Sequence, residues 1–408
     1  MKKIKQLIIF LFVISFSINI KALDIDSKYV TLYNLDENEV IYSKDADEII
    51  SIASLTKIMT SIVTIENIED LNTKVKVPYG TNYGLIEQGA ARVGFIEGSI
   101  VTYNDLLHGA LLPSGADSTR AMAILVSGSE EAFVELMNEK AKEIGMNNTH
   151  FVNCHGLDAE GHYSTINDVL ILLKYALENE TFKKIYTTKS YTSSNGNFYM
   201  ESTVVKTGRR YNVDVSNIIG SKTGFTYDAG QCLASLLNIH NTNFLLITAG
   251  AQSEYTPKHL LDFNRVYNYL NDNYSIKEIL SPNTLALTII PDYSKETEVK
   301  FYTKNSVSKL VKNDEKINLE YVYNGNSELF GNEEKGTYLG TVDIIYDKEI
   351  IDTLEIRLEK DLNFDLMKYL KQYTYLIPVI LGIILLLIIL IVLIKKSKKE
   401  KMFKKNLI

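Results

Sequence analysis

The sequence predicts an α+β fold: one sheet flanked by helices, then a small all-β domain and a C-terminal transmembrane helix. Three observations carry this. Strand-like alternation appears near both ends of the stretch 29–270, while apolar residues between recur at helical spacing. One sheet assembled from the two ends, with the helices packed on it, satisfies that order. From 284 to 358 five strand-like runs follow one another with polar turns and no helix between them. Residues 376–394 are almost wholly apolar, interrupted only by Pro378 and Gly382, and are long enough to cross a bilayer.

In chain order, Met1 to Lys5 is basic, 7–18 is apolar and Ile20-Lys21-Ala22 ends in a small residue. This is the layout of a secretory signal peptide over residues 1–22, so the chain is read as exported. The first domain is expected over 23–272. Residues 29–35 and 40–43 form a hairpin around Asp36-Glu37-Asn38. A helix starts at Ser54, with 58–68 spaced to bury one face. Short strands and loops fill 72–99. Helices follow at 103–112, 118–127, 130–144 and 166–179, the third stopped by Gly145 as a C-cap. Strands at 215–220, 232–239 and 244–249 and a helix at 258–270 close the domain. The β domain is expected over 281–360 and a juxtamembrane segment over 361–375. The seven lysines of the tail, 395–408, place that end in the cytoplasm and everything before 376 outside.

At 408 residues the chain can hold two domains plus appendages. Its formal charge of -7 argues against nucleic acid as a partner. Cys154 and Cys232 fit no metal-site spacing and read as two separate buried thiols rather than a disulfide; six scattered histidines offer no ligand cluster.

The chemistry starts at Ser54-Leu55-Thr56-Lys57. A serine hydroxyl needs a base to become a nucleophile. Residues three apart share a helix face, so Lys57 falls beside Ser54. Lys57 acts as a base only when neutral, which burial or a neighbouring cation promotes. Downstream stand Ser114-Gly115-Ala116, on a turn between two helices, and Lys222-Thr223-Gly224. A second triplet, Lys206-Thr207-Gly208, is followed by Arg209-Arg210 and reads as a solvated loop. Lys222 is preferred because it lies in Gly220-Ser221-Lys222-Thr223-Gly224-Phe225-Thr226, a strand edge able to offer Thr223 and backbone N–H groups to a substrate.

The order Ser-x-x-Lys, Ser-x-x and Lys-Thr-Gly, with gaps of about sixty and a hundred residues, resembles the low-molecular-weight penicillin-binding proteins, the D-alanyl-D-alanine carboxypeptidases. Ile52 to Thr60, Gly145 to Asn153, His155-Gly156-Leu157, His162 to Thr165 and Gly220 to Cys232 carry the resemblance, which spans about 27 to 368. It implies a β-lactamase/transpeptidase-like sheet, a β-rich second domain and C-terminal membrane attachment. It implies peptidoglycan stem peptides as substrate, β-lactam antibiotics as inhibitors and no cofactor or metal. Ser54 would attack the carbonyl of the penultimate D-alanine, Lys57 would take its proton and Ser114 would relay a proton to the departing D-alanine. Lys222 would keep Lys57 neutral, and Thr223 would bind the terminal carboxylate beside Gly224. The N–H groups of Ser54 and Phe225 would form the oxyanion hole.

One position departs. The family's usual Asn at the third place of the middle motif is Ala116, followed by Asp117. That keeps an inactive, membrane-anchored wall-binding protein among the alternatives, beside a D,D-endopeptidase and a β-lactamase. The last lacks a Glu-x-x-x-Asn stretch near the expected place between Ser114 and Lys222. His155 and His162 are read as structural or substrate-proximal.

Overall fold

The computed structural model describes residues 23–253, 255–326 and 328–405, and the leader expected over 1–22 lies outside them. The chain divides into two compact units between Tyr274 and Ser275.

The first unit is built around α1 (Thr56–Asn67), entered through a single 3-10 turn at Ala53–Leu55. The sequence spacing predicts one buried face. Instead every residue from Thr56 to Thr64 is buried. The reason is that its polar side chains find partners inside: Thr60 Oγ1 donates to the Cys154 carbonyl at 2.6 Å and Thr64 Oγ1 to the Thr60 carbonyl at 2.8 Å. Hydroxyls satisfied in this way can be buried at little cost. Ile58, Met59, Ile62 and Val63 fill the core between them.

Four further helices surround it: α2 (Tyr103–Leu111), α3 (Ala116–Ser127), α4 (Glu130–Ile144) and α5 (Ile166–Glu178). A true capping box starts α2, with Thr102 and Asp105 exchanging side-chain-to-backbone bonds, and Gly145 ends α4 in the left-handed conformation at φ 91°. Two helices have no clear signature in the sequence, α6 (Glu180–Tyr186) and α7 (Thr203–Tyr211); α8 (Lys258–Asn273) closes the unit.

The strands are β1 (Tyr29–Asn34), β2 (Glu39–Lys44), β3 (Lys74–Lys76), β4 (Ile100–Thr102), β5 (Ser190–Thr192), β6 (Tyr199–Glu201), β7 (Gly220–Thr226), β8 (Gly230–Ile239) and β9 (Thr242–Ala251). Five of them form an antiparallel sheet in the order β2-β1-β9-β8-β7. Tyr29 pairs with Ala249 and Asn34 with Phe244, so the two ends of the unit meet in one sheet as the sequence predicts. Alternate residues of β9 serve opposite faces. Leu245, Ile247 and Ala249 join the core around α1, and α8 packs across β8 and β9. β7 stands at the edge of the sheet.

Two expectations change here. The strand predicted at 215–220 instead runs from Gly220 to Thr226 and so contains Lys222, in line with the strand-edge reading of that triplet. Residues 212–219 instead form turns, held by Val213 N–H to Gly208 and Ile218 N–H to Val215. The second triplet is no loop: Lys206-Thr207-Gly208 lies inside α7. Gly208 is there for packing, since a Cβ would stand 2.9 Å from Val215 Cγ1 and from the Val213 carbonyl oxygen.

The second unit contains β10 (Tyr274–Leu280), β11 (Leu285–Ile289), β12 (Val299–Tyr302), β13 (Val307–Lys312), β14 (Glu320–Gly325), β15 (Tyr338–Tyr346) and β16 (Glu349–Arg357). Ile289, Phe301, Val342, Ile344, Leu354 and Ile356 form much of its core. The paired strands β10 and β13 are not legible in the sequence, because lysines and a glutamate break up the two runs. After α9 (Leu366–Lys371), α10 (Leu376–Lys405) carries the apolar stretch, and every residue of it from 377 to 394 is exposed.

The start of the first unit is tied to α8 by Asp262, whose buried carboxylate accepts from Asp26 N–H (2.9 Å), Ser27 N–H (2.8 Å) and Ser27 Oγ (2.6 Å) and pairs with Arg265 (2.9 Å). Asp262→Ala strands those donors and should cost on the order of 3 kcal/mol. Thermal unfolding of the full chain should show a drop of several degrees; an unchanged midpoint would refute this account.

Candidate active site

The approach to Ser54 is fixed from outside α1. Ile50 and Ser164 exchange backbone hydrogen bonds at 2.8 and 3.0 Å. Ala53 then adopts φ +46°, a left-handed conformation unfavourable for a residue with a Cβ. Three contacts hold it. Thr56 Oγ1 donates to the Ala53 carbonyl at 2.8 Å, and His162 Nε2 lies 2.9 Å from Thr56 Oγ1. His162 Nδ1 accepts from Val152 N–H at 3.1 Å, which leaves its proton on Nε2, facing Thr56. Gly156 packs so closely that a Cβ there would stand 2.0 Å from the Ala53 oxygen. Ser114, on the turn between α2 and α3, is also left-handed, at φ +66°. Backbone strain at both serine motifs is the kind that surrounding structure must over-determine.

Lys57 Nζ contacts Ser54 Oγ at 2.8 Å and donates to the His155 carbonyl. The ammonium is buried, and that desolvation brings its pKa from the ordinary 10.5 down to about 7, against the pull of Cys154 and Asp117. Lys222, fully buried, is likewise held well below its usual range, first by burial and then by Lys57. Its Nζ reaches Ser114 Oγ at 2.8 Å and the Thr223 carbonyl at 2.7 Å. β7 comes right against Ser54, for a Cβ on Gly224 would lie 3.0 Å from the Ser54 nitrogen. Ser54, Lys57, Ser114, Thr223, Gly224 and Phe225 thus border one cleft of about 650 Å³, with Lys222 immediately behind it.

The departure at Ala116 has a structural answer. Its N–H donates to the Ala91 carbonyl at 2.7 Å, and the side chain is buried with nothing polar to offer. Asp117 is no stand-in. Its carboxylate turns away and accepts from the N–H groups of Val93 (3.0 Å), Gly94 (2.8 Å) and Phe95 (3.0 Å), bracing the loop beside the cleft. Orientation of Lys57 falls instead to the His155 carbonyl. Asn153 Oδ1 holds that turn through Gly156 N–H at 2.7 Å and His155 N–H at 3.2 Å. The His155 ring lies 3.3 Å from Arg120 and 3.4 Å from Glu130. Burial brings His155 to about 3 and His162 to about 4, so both stay neutral at physiological pH.

Three contributors are not legible in the sequence. Thr203 Oγ1 lies 2.6 Å from Thr223 Oγ1, and Lys206 and Arg210 line the same cleft. Their i, i+3, i+7 spacing from Thr203 is the available signal. Cys154 and Cys232 are buried and unbridged.

Comparison with known proteins agrees with this geometry. The family model described as D-alanyl-D-alanine carboxypeptidase matches residues 17–253, and that described as penicillin-binding protein 5, C-terminal domain, matches 274–363. The chain is 28% identical to the Bacillus subtilis D-alanyl-D-alanine carboxypeptidase DacF over 345 residues, 83% of this chain and 86% of that protein. It is 31% identical to an Escherichia coli D-alanyl-D-alanine endopeptidase, covering 60% of this chain and 78% of the relative. The crystal structure of the carboxypeptidase DacD from Francisella tularensis has the same fold, with a TM-score of 0.60 at 22% identity, over 84% of this chain and 95% of that one.

Gly156→Ala would force the Ala53 carbonyl aside in addition to straining a residue at φ +82°. It should lower the unfolding midpoint by several degrees, a cost of about 2 kcal/mol or more. Gly161→Ala, at the same φ with no atom nearer than 3.9 Å, isolates the conformational part; equal losses in the two variants would dismiss the contact.

Proposed function

This chain belongs to the D-alanyl-D-alanine carboxypeptidase family of serine peptidases, and from that premise we propose how its residues divide the work. Ser54 attacks the carbonyl between the last two D-alanines of a peptidoglycan stem peptide. Lys57 accepts the serine proton, a role supported by one observation above all: a buried amine 2.8 Å from the hydroxyl with its pKa near 7. The carbonyl oxygen becomes an oxyanion facing the N–H groups of Ser54 and Phe225, each donor contributing roughly 3–4 kcal/mol. Gly224 lets β7 close to that distance. Thr223, its hydroxyl already paired with Thr203, takes the terminal carboxylate.

As the amide breaks, the departing amine needs a proton. Ser114 supplies it and is reprotonated by Lys57, which carries the proton taken from Ser54 and so returns to its neutral form, while Lys222 orients the Ser114 hydroxyl at 2.8 Å. The acyl-enzyme ester is then cut by water, with Lys57 again as base. A β-lactam presents the same acyl carbon and carboxylate, so it acylates Ser54 in the same way. The His155 carbonyl gives Lys57 a fixed acceptor, which favours an active enzyme over an inactive wall-binder despite Ala116.

The family works outside the cytoplasm. We propose that 376–394 anchors this member as a single span, with 395–408 inside. Support comes from the helix Leu376–Lys399, which is long and apolar enough to cross a membrane, and from the lysines that follow. Protease added to intact protoplasts should remove everything before the span; protection of the large segment would refute this orientation.

The mechanism is tested with a fluorescent penicillin and with a pentapeptide ending in D-Ala-D-Ala. Ser54→Ala should leave no label. Lys57→Ala should slow acylation on the order of 100- to 10,000-fold. Because the neutral amine is the active form and its pKa is about 7, the acylation rate should rise with pH through that value and level off above it. A rate that stays flat across the neutral range would remove Lys57 from the role of base.

A further inference from the structure

Lys57, Lys222, Lys206 and Arg210 stand in or against the cleft, but they are unequal in charge. Burial pushes Lys57 and Lys222 towards the neutral form. The standing positive charge at neutral pH therefore belongs to Lys206 and Arg210, both exposed on α7. Thr203, Lys206, Thr207 and Arg210 recur at helical spacing and all line the cleft. Among the described residues lining it there is no carboxylate, although the chain as a whole carries -7. The neighbouring acid is already committed: Glu201 binds Arg209 through both oxygens at 2.7 Å, and Lys206 acts on it only through its field. Arg210 lies over the Tyr211 ring at 5.3 Å. Two solvent-facing cations on a wall with no carboxylate among its described residues form a local anion trap.

The direction of α7 says which part of a substrate meets them. The helix begins at Thr203, whose hydroxyl touches Thr223, the residue assigned above to the terminal carboxylate. That carboxylate belongs to the leaving residue. From it the helix carries Lys206 about 4.5 Å and Arg210 about 10 Å further along its axis. Substituents of the leaving residue, rather than of the acyl part, extend along this face.

We propose that Lys206 and Arg210 form a second anion-binding subsite on the leaving-group side, selective for a leaving residue that bears a carboxylate besides its α-carboxylate. The inference rests on the hydrolase reading above. The reaction is unchanged: the Ser54 ester forms as the amide C–N bond breaks, the amine departs with one proton, and water later cleaves the ester. The change is in which amines are accepted. A leaving group larger and more acidic than alanine, as in a cross-linked stem, becomes a substrate.

The test uses the full chain in detergent and two peptides, identical except for the last residue after D-Ala: D-Glu in one and its neutral twin D-Gln in the other. The readout is the ratio of their kcat/KM values. At low ionic strength the ratio should favour D-Glu by about five- to tenfold, two exposed ion pairs' worth. It should fall towards one as salt rises, and in the double variant Lys206→Gln, Arg210→Gln. Arg209→Gln, turned towards Glu201, should keep it. A wild-type ratio of one or less, failure to cut either peptide while D-Ala-D-Ala is cut, or a preference that survives the double variant would each overturn the subsite. The wild-type salt series decides the matter even if the double variant does not fold. If D-Ala-D-Ala is not hydrolysed and penicillin leaves no label, the hydrolase reading fails and the subsite with it.

Discussion

Burial of the Lys57 amine against Ser54 is the constraint on which the first unit depends. An ammonium taken out of water loses solvation that no single neighbour restores, and the amine loses its proton instead. Here that loss is the useful outcome. To obtain it, the fold surrounds the start of α1 on every side, so that Thr56 to Thr64 are all buried. The helix bearing Lys57 is thus the centre of the core, and its hydroxyls must bond inward to be tolerated there. Core packing and pKa are set by the same contacts: Thr60 bonds the Cys154 carbonyl, and the next carbonyl along, that of His155, receives Lys57.

The site also explains how the middle motif tolerates Ala116. A side-chain amide can orient an amine, but so can a backbone carbonyl whose turn is rigid. Asn153 fixes that turn through two N–H groups, and Glu130 accepts from Cys154 N–H just before it at 3.1 Å. Asp117, the obvious polar replacement, is spent on the loop at 93–95. A carbonyl also carries no formal charge, so it orients Lys57 without raising its pKa as a carboxylate would.

Much of this is legible in the sequence, and the failures share a cause. Ser54 and Lys57 can be placed because a helical repeat brings them together locally. The pairing of β1 with β9 follows from alternation at both ends of one segment. Contacts between distant segments are not readable: nothing local says that the Gly156 turn seats against Ala53, or that Thr203 reaches Thr223. The triplet at 206 misleads for a related reason. Glycine and two arginines signal a turn, yet Gly208 is held in α7 by the close approach of Val215. The strand expected at 215–220 slips because Val215 packs on that glycine rather than entering the ladder.

The position of α7 alters the electrostatic picture of the cleft. A site whose buried lysines are pushed towards the neutral form has less charge of its own with which to draw in an anionic peptide. Raising the charge on Lys57 would supply attraction but remove the base. The structure separates the two demands. In the proposed reaction the buried amine 2.8 Å from Ser54 handles the proton, and solvent-facing cations on α7 supply the field. Water stabilises the charge of an exposed cation, whereas burial pushes Lys57 and Lys222 towards the neutral form. In the proposed division of work, position relative to solvent, more than residue type, makes one lysine a base and another an anchor for anions.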